Sequence, residues 1–117
     1  MTPTTPLLPT LETFLKLTNS REQAISANMA NVDTPGDHTK DIDFQTAMRQ
    51  VMDGNDSVRM EPASMELQGL PERPDGNNVN IDRESLMLSQ TQLQFQLGVQ
   101  LVKREFNNAL TAIKEGS

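Results

Sequence analysis

The side chains able to do acid–base or metal chemistry are few, and they gather in one acidic stretch. His38 is the only histidine, with Asp37, Asp41 and Asp43 around it, residue types from which a metal site or a general acid–base pair can be built. A second stretch, Asp-Gly-Asn-Asn-Val-Asn-Ile-Asp-Arg-Glu from Asp75, partly follows the pattern of a calcium loop. It fails at the fifth position, where Val79 has no side-chain oxygen, at the sixth, where Asn80 replaces the turn-forming glycine, and at the twelfth, where Leu86 replaces the bidentate glutamate. No glycine-rich phosphate loop, no cysteine and no serine in a nucleophile setting is present. A lone histidine in an acidic loop is ordinarily solvated, so these residues do not support catalysis and call for no cofactor or metal.

The remaining polar chemistry is that of amides. Asn28 and Asn31 stand three residues apart, just before Thr34-Pro35-Gly36. Asparagine is a mediocre helix former, but near a helix end its amide can tie down terminal carbonyls and the turn that follows, fixing how the chain leaves the helix. Gln90, Gln92, Gln94, Gln96 and Gln100 form the polar face of a later helical segment. Lying between apolar stripes, the same amides could also bond neighbouring helices without the desolvation cost of buried charge.

The elements that must position these residues are helices. Apolar residues recur at Leu11, Phe14/Leu15, Ile25, Met29 and Val32, with Thr18 and Glu22 filling the seam between them, a helical stripe weakened in its middle. Pro3, Pro6 and Pro9 place residues 1–9 outside it as a Pro-rich tail. Thr10 is the expected N-cap, with Glu12 in the first turn. The helix ends near Val32, because Pro35 restricts Thr34 to extended conformations and Pro-Gly is the central pair of a type II turn. Residues 10–36 are thus helix plus turn, and residues 37–79 an irregular middle segment. Within that segment residues 45–52 can add a helical turn or two, and a short β-hairpin is possible near residues 60–70.

Residues 80–117 form the strongest element, capped by Asn80 or Asp82 and free of proline. Leu93 to Leu101 alternates apolar and polar as a strand would. Helix wins on context, because Leu88, Phe95, Val99, Val102, Phe106, Ala109 and Ile113 keep three-to-four spacing across the whole segment. Leu93, Leu97 and Leu101 add a second apolar stripe beside the first. So broad an apolar face cannot be covered by one shorter partner helix, and further subunits are expected to complete the core.

Composition sets the class. The chain of 117 residues is a single domain with 35% hydrophobic residues, four Phe, no Trp and no Tyr, which favours packed helices over a sandwich or barrel. A net charge of −6 gives no footprint for phosphate backbones, so nucleic acid is not an expected partner. No run is long and apolar enough to insert into a membrane, and no cleaved secretory signal is visible.

Ser20 to Phe44 resembles the N-terminal signature of bacterial flagellar rod and hook proteins, carried by Asn28, Met29, Ala30, Asn31, Thr34, Pro35 and Gly36. Asp-Ile-Asp-Phe at Asp41–Phe44 resembles the proximal rod member, and Asp75–Glu84 with the helix after it resembles that member's C-terminal half. The likeness covers roughly residues 11–50 and 74–115. One departure is Asp37, which stands where the family usually has an aromatic, so the loop's exit must be looser or anchored otherwise. The resemblance implies a mainly α-helical, non-enzymatic structural subunit of the proximal rod, its two long terminal helices forming an antiparallel coiled-coil-like pair. It implies export through the flagellar type III apparatus without a cleaved signal and assembly in the periplasm with copies of itself, other rod proteins, and MS-ring and adaptor components. Asn28, Ala30, Asn31, Thr34, Pro35 and Gly36 would then shape the junction between helical core and outer segment. Leu11, Phe14, Leu15, Ile25, Met29, Val32, Leu88, Leu93, Phe95, Leu97, Val99, Val102, Phe106, Ala109 and Ile113 would form the assembly surface. The rival readings are a cytoplasmic helical adaptor or secretion chaperone, and a small metal-dependent enzyme using His38.

Overall fold

The computed structural model describes residues 7–54 and 64–116. In chain order they form α1 (Leu7–Ala30), β1 (Lys40–Ile42), α2 (Phe44–Met52), β2 (Ser64–Glu66) and α3 (Ile81–Glu115). The fold is mainly helical: two long helices with a two-stranded antiparallel ribbon and one short helix on their flank. The molecule is a rod of 67 × 25 × 17 Å.

The long helices run antiparallel. Asn28 near the end of α1 meets Glu84 near the start of α3, and Phe14 and Leu15 near the other end of α1 meet Gly98. Buried residues repeat every seventh position on both: Leu11, Thr18 and Ile25 on α1, and Glu84, Thr91 and Gly98 on α3. That is the period at which two helices stay in register along a seam. The residues filling it are unusual for a seam, being largely small or polar. Gly98 is required by closeness, since a Cβ there would lie 2.7 Å from Leu15 Cδ2 and 3.0 Å from the Phe14 ring. Thr18 and Thr91 are fully buried, and each returns its hydroxyl hydrogen to its own helix, to the Leu15 and Met87 carbonyls.

The apolar core lies on the other side of α1. Leu17, Ile42 and Ala47 form it, with Phe44 and Met48 packed against them. Each residue of Asp41–Phe44 has a task here. Asp41 accepts from Arg21 at 3.1 Å, Ile42 enters the core, and Asp43 caps α2 by accepting from the Thr46 N–H. Phe44 meets Phe14 edge to face at 5.7 Å, with the Arg21 guanidinium 4.9 Å above its ring. So α1 is covered on two sides, while α3, among the described elements, packs chiefly on α1 and runs past its described start by about three turns.

Several boundaries depart from expectation. α1 begins at Leu7, not Thr10, because Pro9 sits in the first turn, where a missing N–H costs nothing. Thr10 is therefore inside the helix and Glu12 lies beyond its first turn. The regular helix ends at Ala30, with residues 31–33 as turn. The middle segment holds a nine-residue helix at Phe44–Met52. No local hairpin forms over the described part of residues 60–70: β2 pairs instead with β1, Lys40 opposite Glu66 and Ile42 opposite Ser64. Residues 60–63 of that expectation, and residues 1–6 of the Pro-rich tail, lie outside the described residues.

Candidate functional site

Where α1 ends, the chain must turn, leave toward β1, and receive the segment returning to α3. Asn28, on the last full turn of α1 and almost fully buried, joins all three. Its amide N–H groups reach the Lys40 carbonyl and Glu84 Oε1, both at 2.8 Å, and its carbonyl oxygen accepts from the Lys40 N–H at 3.0 Å. Thr39 gives its carbonyl to Leu67 across the ribbon, and alternation along a strand turns the backbone groups of Lys40 the other way. The side chain of Asn28 thus serves as a one-residue strand against β1. Glu84 is fully buried and is satisfied by the Asn28 amide and by Arg83, whose guanidinium lies 2.7 Å from its second oxygen. Burial of a carboxylate is tolerable only with such partners.

Asn31 stays local. It donates to the Ala27 carbonyl at 2.8 Å and accepts from the Thr34 hydroxyl at 3.1 Å, which ties the last turn of α1 to the reversal after it. That reversal closes through Asp37 N–H to the Thr34 carbonyl at 3.2 Å, with Gly36 at φ 76°, the left-handed conformation that a type II turn demands and glycine permits. Of the two asparagines, Asn31 performs the terminal bonding expected of both, and Asn28 performs a long-range bond that sequence spacing could not indicate.

The turn is locked from outside by residues 73–80. Fully buried Asn77 donates to the Asn31 and Thr34 carbonyls at 2.9 and 2.7 Å and accepts from the Val79 N–H. Asn78 accepts from the Thr39 N–H and hydroxyl at 2.6 and 2.9 Å, and its own N–H goes to the Asp37 carbonyl. Asn80 caps α3, accepting from the N–H groups of Asp82 and Arg83. Arg73 donates to the Val79 carbonyl at 3.0 Å and to the Val32 carbonyl. Gly36 and Gly76 face each other so closely that a Cβ on Gly76 would touch the Gly36 Cα at 3.4 Å. The stretch resembling a broken calcium loop is therefore a set of backbone staples. Asn77, Asn78, Arg73, Thr39 and Glu84 were not singled out by sequence reasoning. The one available signal was the Asn-Asn pair after Asp-Gly, a turn-forming cluster with more amide donors than its own turn needs. Asp37 anchors the exit through its backbone, so an aromatic ring is not needed to hold this loop.

The imagined acid–base cluster is dispersed. Asp41 is paired with Arg21 and Asp43 caps α2, while His38 turns to Glu66, Glu72 and the Gly76 carbonyl. Among the described residues no three His, Asp or Glu side chains are grouped to hold a metal ion, and no helix is long and apolar enough to cross a membrane.

The expected assembly residues divide in two. Leu11 and Ile25 are buried within the chain, and Phe14, Leu15, Met29, Val32, Leu88, Val99 and Val102 are half-buried. Leu93, Phe95, Leu97, Phe106, Ala109 and Ile113 stay exposed, Leu93 and Ile113 at 66% and 68%. Ala30, Thr34, Pro35 and Gly36 are also exposed, at the tip of the junction. Among the glutamines, Gln94 is half-buried and its side-chain oxygen lacks a donor.

No protein-family model matches the chain. Curated proteins do. The flagellar basal body rod protein FlgB of Escherichia coli K12 is 29% identical, with 88% of this chain and 89% of that protein covered. The FlgB of Yersinia enterocolitica is 29% identical over 87% and 89%, and that of Bacillus subtilis 25% identical over 91% and 92%. Over nearly nine-tenths of its length the chain is thus similar to flagellar basal body rod proteins of different bacteria, and the asparagines and Thr-Pro-Gly of the signature lie at the junction of its two long antiparallel helices.

Proposed function

We infer that this chain is a structural subunit of the proximal rod of a bacterial flagellar basal body, with no catalytic role. The observation that carries the reading is the uncovered apolar surface of α3: Leu93 and Leu97 on one stripe and Phe106, Leu110 and Ile113 on another lie exposed on a helix whose main packing partner among the described elements is α1. Soluble monomers rarely leave so much apolar surface uncovered. In the rod, neighbouring copies and other rod proteins would cover it, MS-ring and adaptor components would meet the proximal end, and the subunit would arrive through the flagellar export apparatus to assemble in the periplasm. The Asn28–Asn31–Thr34-Pro35-Gly36 junction would set the angle between the helical core and the outer ribbon.

Deleting the gene should abolish rod formation and motility, and the tagged protein should co-purify with basal bodies. Normal rods in the deletion strain, or a protein confined to the cytoplasm, would overturn the reading and favour the adaptor.

A further inference from the structure

The junction contains a titratable group that assembly surfaces do not explain. His38 sits just after the Thr34–Asp37 turn, about a third exposed, with Nδ1 2.7 Å from Glu66 Oε1 on β2. Its Nε2 lies 3.1 Å from the Gly76 carbonyl and 3.2 Å from Glu72 Oε1. Every one of these partners is an acceptor. A neutral imidazole has a single N–H and would set its lone pair against an oxygen on one side; the imidazolium donates on both. The other charged groups of the neighbourhood leave this geometry alone. Arg73 is held on the Val32 and Val79 carbonyls, Asp75 lies 4.0 Å from Arg73, and Lys40 is the register partner of Glu66 on the ribbon. Asp37 precedes His38 and uses its backbone in the turn and toward Asn78.

We propose that His38 is a proton-operated clasp, which in its charged form ties the β1–β2 ribbon to the 72–76 segment leading into α3 and on losing its proton releases them. The clasp joins three pieces that are far apart in sequence: the exit of α1, the edge strand β2, and the approach to α3. Loss of the proton removes one donor and leaves Glu66 and Glu72 flanking an uncharged ring, so their mutual repulsion is no longer offset. The hydrogen bond from the ring to Glu66 raises the His38 pKa above its ordinary 6.5, assisted by the charges of Glu66 and Glu72 and the Gly76 carbonyl and opposed by desolvation. The sign follows. With the folded value above the unfolded one, the clasp's stabilisation is complete below pH 6.5 and is lost as pH rises through the folded value.

Because the chain has one histidine, the imidazole resonance of the full-length protein reports this group alone. An NMR titration should place its pKa above 6.5. Over the same pH range the protection factors of the Met65 and Leu67 amides should fall, by about tenfold for each unit separating the folded value from 6.5. Glu66→Gln should lower the His38 value, and His38→Gln, which keeps a donor but cannot titrate, should give ribbon protection that no longer varies with pH. A wild-type His38 value at or below 6.5 overturns the proposal. So does ribbon protection that varies with pH alike in the wild type and in His38→Gln.

Discussion

Replacing Asn28 by alanine would strand three polar groups at once: the N–H and carbonyl of Lys40 and one oxygen of the buried Glu84. Unsatisfied buried groups cost roughly 1–3 kcal/mol each, with partial relief from water at a site near the surface, so urea unfolding should show a loss of about 3 kcal/mol. Asn28→Asp should be at least as damaging near neutral pH, because a second carboxylate would face Glu84 with no proton to donate. A loss below about 1 kcal/mol in Asn28→Ala would show that water readily replaces the amide. Gly98→Ala tests the closeness of the helices. Alanine gains about 1 kcal/mol of helix propensity, but its Cβ meets both Leu15 and Phe14, and overpacking costs about 1–3 kcal/mol. The variant should be less stable by about 1 kcal/mol, the difference between these two effects.

The short helix α2 depends on its cap. Asp43 accepts from the Thr46 side chain and N–H, and these bonds hold its carboxyl below the ordinary carboxylate value. A lowered folded value means that the cap's stabilisation is present above the ordinary value of 3.8 and is lost as pH falls through the folded one. Hydrogen exchange below pH 3.8 should therefore find the α2 amides opening before those of α3, and Asp43→Ala should reproduce that opening at neutral pH. At this scale the sequence was legible where pattern is local. The long α3, its Asn80 cap and the Thr34–Asp37 turn all follow from periodicity, capping chemistry and the Pro-Gly pair. The ribbon was not legible, since three-residue strands carry no period and β1 finds its partner beyond a helix. Nor was the start of α1, because three spaced prolines read as a tail although Pro9 fits a first turn. The polar seam was only half visible: Thr18 occupied a stripe position, but nothing on α3 marked Glu84 as a fully buried residue.

Across the whole molecule, burial separates two kinds of apolar residue that share one periodicity. Ile25 is spent inside the chain, and Ile25→Ala should cost about 2–5 kcal/mol in unfolding free energy. Phe106 and Ile113 lie exposed on the part of α3 that no other described element covers. The double change Phe106→Ser and Ile113→Ser should leave the stability of the isolated chain within ~0.5 kcal/mol of the original, yet reduce incorporation into basal bodies and hence swimming. Comparable loss of stability in both variants would mean that this end of α3 is covered within the chain itself. Asn28 has a final consequence at this scale. By occupying both outward backbone groups of Lys40, it shuts one flank of β1 to any stray extended polypeptide, while the Asp41 carboxylate takes the neighbouring Ile42 N–H. Unwanted fibril-like growth through β1 is blocked by a side chain rather than by another strand, and among the described residues the rim left to guard is that of β2.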